Sequence, residues 1–154
     1  MAHIFSIQVS DGGVPKLPVR EAQLSENGLS ADRQRNLRFH GGPERAVCLL
    51  ALETIVALQR EGHPIYPGST GENVTVVGVD WASLELGDCL ALGDQALIQL
   101  TSFAAPCSNI AASFSGGEFK RLSAKLYPGV SRLYAKVLRP GRLEVGQPVR
   151  VVRE

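Results

Sequence analysis

The chain has 154 residues, 44% of them hydrophobic, and a formal net charge of +1. That length and apolar content fit a single domain, residues 1–154, with a buried core. The near-zero charge gives no reason to expect a polyanionic partner, and 6% aromatic residues are too few for a stacking platform for nucleic acid.

The charges are unevenly placed. Residues 46–117 hold seven acids and one base, Arg60, whereas residues 118–154 hold nine bases and three acids. Twelve of the sixteen cations are arginine, the side chain suited to forked contacts with phosphate or carboxylate. Most of these arginines also suit a mixed, solvated surface. The start, MAHIFSIQVSDGG, has neither the charged opening nor the apolar run of a signal peptide. The longest apolar stretch, AVCLLAL, is far too short to cross a membrane. Three irregularly spaced cysteines argue against a disulfide framework and for a reducing, cytoplasmic setting.

In chain order, His3 to Val9 alternates and predicts a strand. SDGGVPKLPV breaks it with glycines and prolines and carries Lys16 on a stiff loop. Residues 24–46 are long, polar and arginine-rich and read as an extended loop. AVCLLA is a continuous apolar run, the pattern of a buried strand. LETIVALQREG places Leu52, Ile55, Val56 and Gln59 on one helical face, with Gly62 as the C-terminal cap. HPIYPGSTGEN is a second Gly/Pro loop. Strands follow at VTVVGV, DCLALG and QALIQLTSF, the last two joined tightly through Gly93-Asp94. Residues 108–114 and 118–126 predict short helices, and LYAKVLRPG and QPVRVVRE two closing strands. About seven short strands with a few short helices predict a mainly β, barrel-like fold.

Among the cysteines, Cys48 and Cys89 fall inside predicted strands and read as small structural residues. Cys107 differs. Pro106 restricts the backbone before it, and the residues after it predict a helix start, where the dipole favours a thiolate. Position alone leaves two readings open, a packed thiol and a reactive one. His3, His40 and His63 have no zinc-ligand spacing, and no CxxC pair is present. DRQRNLRFHGGPER sets four arginines around Gly41-Gly42, either an anion clamp or a basic surface loop. PGSTGEN offers a glycine-rich backbone that can form a nest of N–H groups, without the features of a Walker loop. Glu72 reads as an acid–base group or a loop cap. Lys120, Arg121, Lys125 and Arg132 either face an anion or face solvent.

The ordered series VSDGGVPKLPV, DRQ, HGGPERAV, EGHPI-PG-TGEN, LELGD, APC and RLYAKVLRPG resembles a MOSC domain, the C-terminal domain of molybdenum cofactor sulfurases, in its small stand-alone bacterial form. The resemblance spans nearly the whole chain and implies a β-barrel-like fold. It places the family's signature cysteine on Cys107, implied either to ligate the molybdenum of a pterin cofactor (molybdopterin) or to carry sulfur as a persulfide. Related domains reduce N-hydroxylated compounds at that metal, and a non-catalytic cofactor-binding module is a further alternative. Carried over by position, Lys16, Arg33, His40, Glu72, Asn73 and Arg121 become cofactor-binding candidates. No aminotransferase-like desulfurase domain is present, so pyridoxal phosphate binding is not expected. Electrons or sulfur would then come from a separate electron-donor protein or cysteine desulfurase.

Overall fold

The computed structural model describes residues 1–32 and 42–153. Among them are eleven strands: β1 His3–Val9, β2 Leu17–Val19, β3 Glu21–Ser25, β4 Gly28–Leu29, β5 Val47–Ala51, β6 Val74–Val77, β7 Cys89–Leu92, β8 Ala96–Phe103, β9 Leu133–Arg139, β10 Gly141–Glu144 and β11 Val149–Val152. One α-helix, α1 Leu52–Arg60, accompanies them, and the remaining helical pieces are 3-10 turns. No helix of the described residues is long and apolar enough to cross a membrane.

Eight strands form one sheet in the order β11-β7-β8-β9-β5-β6-β1-β2, and β10-β3-β4 form a second. The large sheet curls until the start of β11 meets β1, the strand next to the opposite edge. The Ile4 N–H donates to the Gln147 carbonyl and the Val149 N–H to the Ala2 carbonyl (2.9 and 3.0 Å), beside an antiparallel bridge between His3 and Pro148. The mainly β, barrel-like architecture implied by the strand pattern is therefore present, with more strands than seven. All the β5–β9 and β1–β6 neighbours are antiparallel, but β5 and β6 run parallel. A parallel pair cannot be joined by a hairpin, and α1 with the 61–73 loop makes the crossover.

Strand parity creates two cores. Val47, Leu49 and Ala51 join Val74, Val76, Leu133 and Ala135 in the barrel interior. Leu50, from the opposite face of β5, packs instead with Ile55, Leu58, Ile65, Ile110, Phe114 and Leu122, beneath α1 and the 3-10 turns. The run VCLLA is apolar throughout because every one of its residues is buried, on one side or the other. In β1, a register shift between Ile4 and Ser6 lets Ile4 and Ile7 both reach the interior and leaves Phe5 outside. Helix α1 buries Ile55 and Leu58. It ends in a Schellman motif, with the Gly62 N–H on the Gln59 carbonyl and the His63 N–H on the Leu58 carbonyl.

Two expectations need correction. The 24–46 segment is not loop throughout. β3 and β4 form a hairpin with a buried Leu24–Leu29 pair, turning through Glu26-Asn27 between the paired Ser25 and Gly28, the latter at positive φ. The helices expected over 108–114 and 118–126 are 3-10 turns, Ser108–Ser113, Ser115–Gly117 and Phe119–Leu122. Gly116 and Gly117, both at positive φ, interrupt any continuous helix there.

The 67–73 loop crosses closely over the 13–16 loop at Gly68. Gly68 has φ +90°, and a Cβ there would overlap the Lys16 carbonyl oxygen. The same glycine accepts the Lys16 N–H through its own carbonyl (2.9 Å). Gly68→Ala is expected to destabilise the fold by about 3 kcal/mol, the upper range for a strained left-handed residue. Gly62→Ala, at φ +99° with open space around it, should cost about 1 kcal/mol. Chemical denaturation of the two variants checks the difference.

Candidate functional site

A cavity of about 450 Å³ opens between the outer face of the β5–β9 wall and the loops laid over it. Gly13, Val14 and Lys16 reach it from the loop after β1, Arg45 from the 3-10 turn Pro43–Arg45, and Thr70, Gly71 and Asn73 from the loop before β6. Cys107, Asn109 and Ile110 follow β8, and Cys48, Arg132 and Tyr134 come from β5 and the start of β9. Cys48 and Tyr134 are cross-strand partners, so their side chains share a face. Arg132, two residues before Tyr134, has the same parity.

Cys107 is half-buried and precedes the 3-10 turn Ser108–Ser113, with the Ile110 N–H on its carbonyl (3.1 Å). The expected helix-dipole effect has no α-helix to act through. The cavity brings cations instead. Lys16, Arg45 and Arg132 line it, and no carboxylate does among the described residues. Arg132 is 6% exposed. Its Nη1 donates to the Thr70 carbonyl (2.6 Å) and its Nη2 to the Ala105 carbonyl (3.5 Å), and its buried Nε has no hydrogen-bond partner. Arg132 thus ties the 67–73 loop to the segment carrying Cys107. Arg45 lies over the Tyr134 ring, 5.6 Å from its centroid. Its turn is fixed by the Thr101 hydroxyl on the Glu44 carbonyl (2.5 Å).

The other candidates separate into three groups. Lys16 and Asn73 line the cavity with Cys107. Asn73 is also a structural clamp: its Oδ1 accepts the Cys48 N–H (3.0 Å), and its own N–H donates to the Cys48 carbonyl (2.7 Å). Glu72 and Arg121 do not line the cavity. The Glu72 carboxyl is fully buried, where Oε1 accepts the Gly68 N–H (2.7 Å) and Oε2 the Thr70 hydroxyl (3.1 Å). Glu72 therefore shapes the loop. Burial pushes its pKa above the ordinary carboxylate value, opposed by Arg132 and these donors. Arg121 forks onto Glu61 (3.0 and 2.8 Å) and stacks over Tyr127, 4.3 Å from the ring centroid. That pairing fastens the Phe119–Leu122 turn to the end of α1. Arg33 and His40 lie outside the described residues.

Cys48 is not the plain core residue its strand position suggested. It packs with Ala104 and Tyr134 and also faces the cavity. Burial pushes its thiol up to about 12, against the lowering effect of Arg132. Tyr134 is likewise raised to about 12, burial being the main cause. Both groups are neutral at physiological pH and leave the field of the arginines uncancelled. In the sequence Arg132 stood with Lys120, Arg121 and Lys125 as a cation facing either an anion or solvent, and the fold brings it into the cavity.

Two outcomes follow from these environments. Iodoacetamide at pH 8 should label Cys107 and the partly exposed Cys89 well before Cys48. A thiol at about 12 has roughly a thousandfold less thiolate there than an ordinary one, and peptide mass spectrometry reads the order. For Glu72, a folded pKa above the unfolded one means the native state binds the extra proton. Its stabilising share is complete below the ordinary carboxylate range and is lost as pH rises through the raised value. Glu72→Gln should flatten that decline in thermal stability between acid and neutral pH, and parallel wild-type and variant curves would contradict it.

The sequence pattern of the MOSC domain matches residues 36–150. YflK of Bacillus subtilis is 31% identical over 137 residues, covering 87% of this chain and 60% of that protein. YiiM of Escherichia coli is 29% identical over 136 residues, covering 86% of this chain and 59% of its own length. The chain therefore spans about 60% of the length of these curated relatives. The crystal structure of YiiM from Geobacillus stearothermophilus matches with a TM-score of 0.74 at 27% identity, over 99% of this chain and 76% of that one. The fold, the order of motifs and this match agree: the chain belongs to the MOSC domain family.

Proposed function

We propose that this chain binds a molybdenum cofactor, a molybdopterin, through Cys107 and reduces N-hydroxylated small molecules. The observation that carries the reading is a half-buried thiol in one cavity with Arg45, Arg132 and Lys16 and no lining carboxylate among the described residues. The donor set fits such a group. No cluster of three His, Cys, Asp or Glu side chains able to hold a metal occurs among the described residues. A metal at Cys107 therefore has to bring further ligands, as a metal carried on an organic dithiolene does, and thiolate is the soft donor that suits it. A cavity of about 450 Å³ lies in the range that encloses a cofactor-sized ligand.

In this reading Cys107 supplies the protein's sulfur ligand, held in place by the preceding Pro106 and by the Arg132 tie to Ala105. Arg45 and Arg132 hold the phosphate end, and the backbone of Gly13 and Gly71, both at positive φ, allows close approach. The cofactor, when bound, supplies two-electron redox chemistry. Converting R–NHOH to R–NH2 and water takes two electrons and two protons, and a separate donor protein provides the electrons.

Protein from a host that synthesises the cofactor should contain molybdenum and release a fluorescent pterin on oxidation. Cys107→Ser should lose about tenfold or more of the metal, whereas Cys48→Ser should keep it; substitutions of direct or outer-shell metal partners have effects of this order. Metal analysis checks both variants. A wild-type protein free of molybdenum, with sulfur added to the Cys107 peptide, would replace this reading with that of a persulfide carrier.

A further inference from the structure

We propose that the outer face of the four strands β11-β7-β8-β9 is the docking surface for an acidic electron-carrier protein, the donor that the reduction requires. These strands contain no Asp or Glu and three cations, Lys136, Arg139 and Arg150. Strand parity puts all three on the outer side. Arg150 pairs with Ala91, Ala91 with Leu97 and Leu97 with Arg139, so two arginines end one row across the sheet. The neighbours of that row along the strands, Val149, Leu90 and Ile98, lie in the barrel core. Lys136 stands in the next row, paired with Gln99. Tyr134, two residues and about 7 Å further along β9, already lines the cavity. The cationic face is therefore continuous with the cavity floor.

The three cations are not neutralised within the chain. Arg121, Arg132, Arg142 and Arg153 each donate to a carboxylate or carbonyl oxygen. The side chains of Lys136, Arg139 and Arg150 join no hydrogen bond or ion pair among the described residues. Asp88, just before β7, is held by Arg153 and the Glu85 N–H; Asp94 lies in the turn after β7, and Glu44 in the turn over Thr101. Between the cations lie Ala91 and the half-buried Leu97 and Gln99, which offer contact without charge. Cations around a small apolar centre complement a partner with carboxylates around an apolar edge. Electron-transfer encounters bury little surface, so a patch of four short strands suffices. The role rests on the proposed reduction: the carrier is oxidised as it gives up the two electrons that, with two protons, break the N–O bond.

The full chain is purified from a host that synthesises the cofactor, and its molybdenum is measured. An acidic flavodoxin and an acidic [2Fe–2S] ferredoxin are then titrated into isotopically labelled protein and followed by NMR. Amide shifts should cluster on β8, β9 and β11, and affinity should fall about tenfold between about 20 mM and about 0.15 M ionic strength as screening tightens. Lys136→Glu/Arg139→Glu should weaken binding about tenfold at low salt. Lys120→Glu/Lys125→Glu makes the same change in net charge on exposed side chains of other elements and should stay within about twofold of wild type. Arg150→Glu, on another strand, should weaken binding about threefold and decides the matter if the first double variant does not fold. Binding by neither carrier, or equal losses from both double variants, overturns the docking role; so does a face that shifts with heparin and with neither carrier. Molybdenum present without carrier binding leaves the cofactor reading intact, and carrier binding at this face without molybdenum removes that reading alone.

Discussion

The structure depends on the burial of β5 on both of its faces. Val47, Leu49 and Ala51 complete the barrel interior, while Cys48 and Leu50 point the other way. A strand can be apolar on both sides only if something covers its outer side. Helix α1, the crossover loop and the 3-10 turns are that cover, and Leu50 is where they pack tightly. One turn of the pleat earlier, over Cys48, the cover is made of loops rather than side-chain packing. The cavity is the space those loops leave. Its floor is thus set by strand parity and its walls by connections, which lets the walls carry polar groups that a strand interior would reject.

Polar walls over an apolar floor require internal satisfaction of nearly every buried group. Two neighbouring residues do most of this. Glu72 folds the 67–73 loop onto itself through Gly68 and Thr70. Asn73 fastens the end of that loop to Cys48 and Asp32. Gln8 extends the network, donating to the Glu72 carbonyl and the Thr75 hydroxyl (3.1 and 3.3 Å). A carboxyl this enclosed loses solvation, which raises its pKa, and Arg132 is the charge that partly offsets the loss. Arg132 therefore acts in two directions, inward on the buried carboxyl and outward on the cavity. Its unpartnered Nε shows that the protein's own acceptors do not saturate it.

Much of this was readable from the chain. The strands from β5 onward, β10 excepted, followed from apolar runs between Gly/Pro punctuation, and the end of α1 from Gly62. Cys107, Lys16 and Asn73 were singled out by local context and motif order, and all three reach the cavity. The failures have physical causes. Glu72 and Arg121 were grouped with the ligand-facing residues because they are charged and flank motifs, but their partners, Gly68 and Glu61, are fixed by loop geometry. Cys48 looked like packing because a buried strand does not announce which of its residues faces a gap. Asp32 was legible only as the first residue of the motif DRQ, since its contacts to residues 10, 16 and 73 are joined only by folding. The hairpin β3–β4 was hidden by a polar composition that masked two alternating buried positions, Ala22 and Leu24.

The same logic distinguishes two sulfur atoms on one wall. Cys48 sits within the sheet, its N–H and carbonyl both taken by Asn73, its side chain enclosed by Ala104 and Tyr134. Enclosure outweighs the lowering effect of Arg132 and disfavours the thiolate, and the thiol is held at about 12. Cys107 sits past the end of β8 on a connection, where it stays partly exposed and lines the same cavity as Arg45 and Arg132. Burial thus suppresses thiolate chemistry at Cys48, while Cys107 stays accessible. A connection gives a thiol access that a ladder position in a doubly buried strand does not provide.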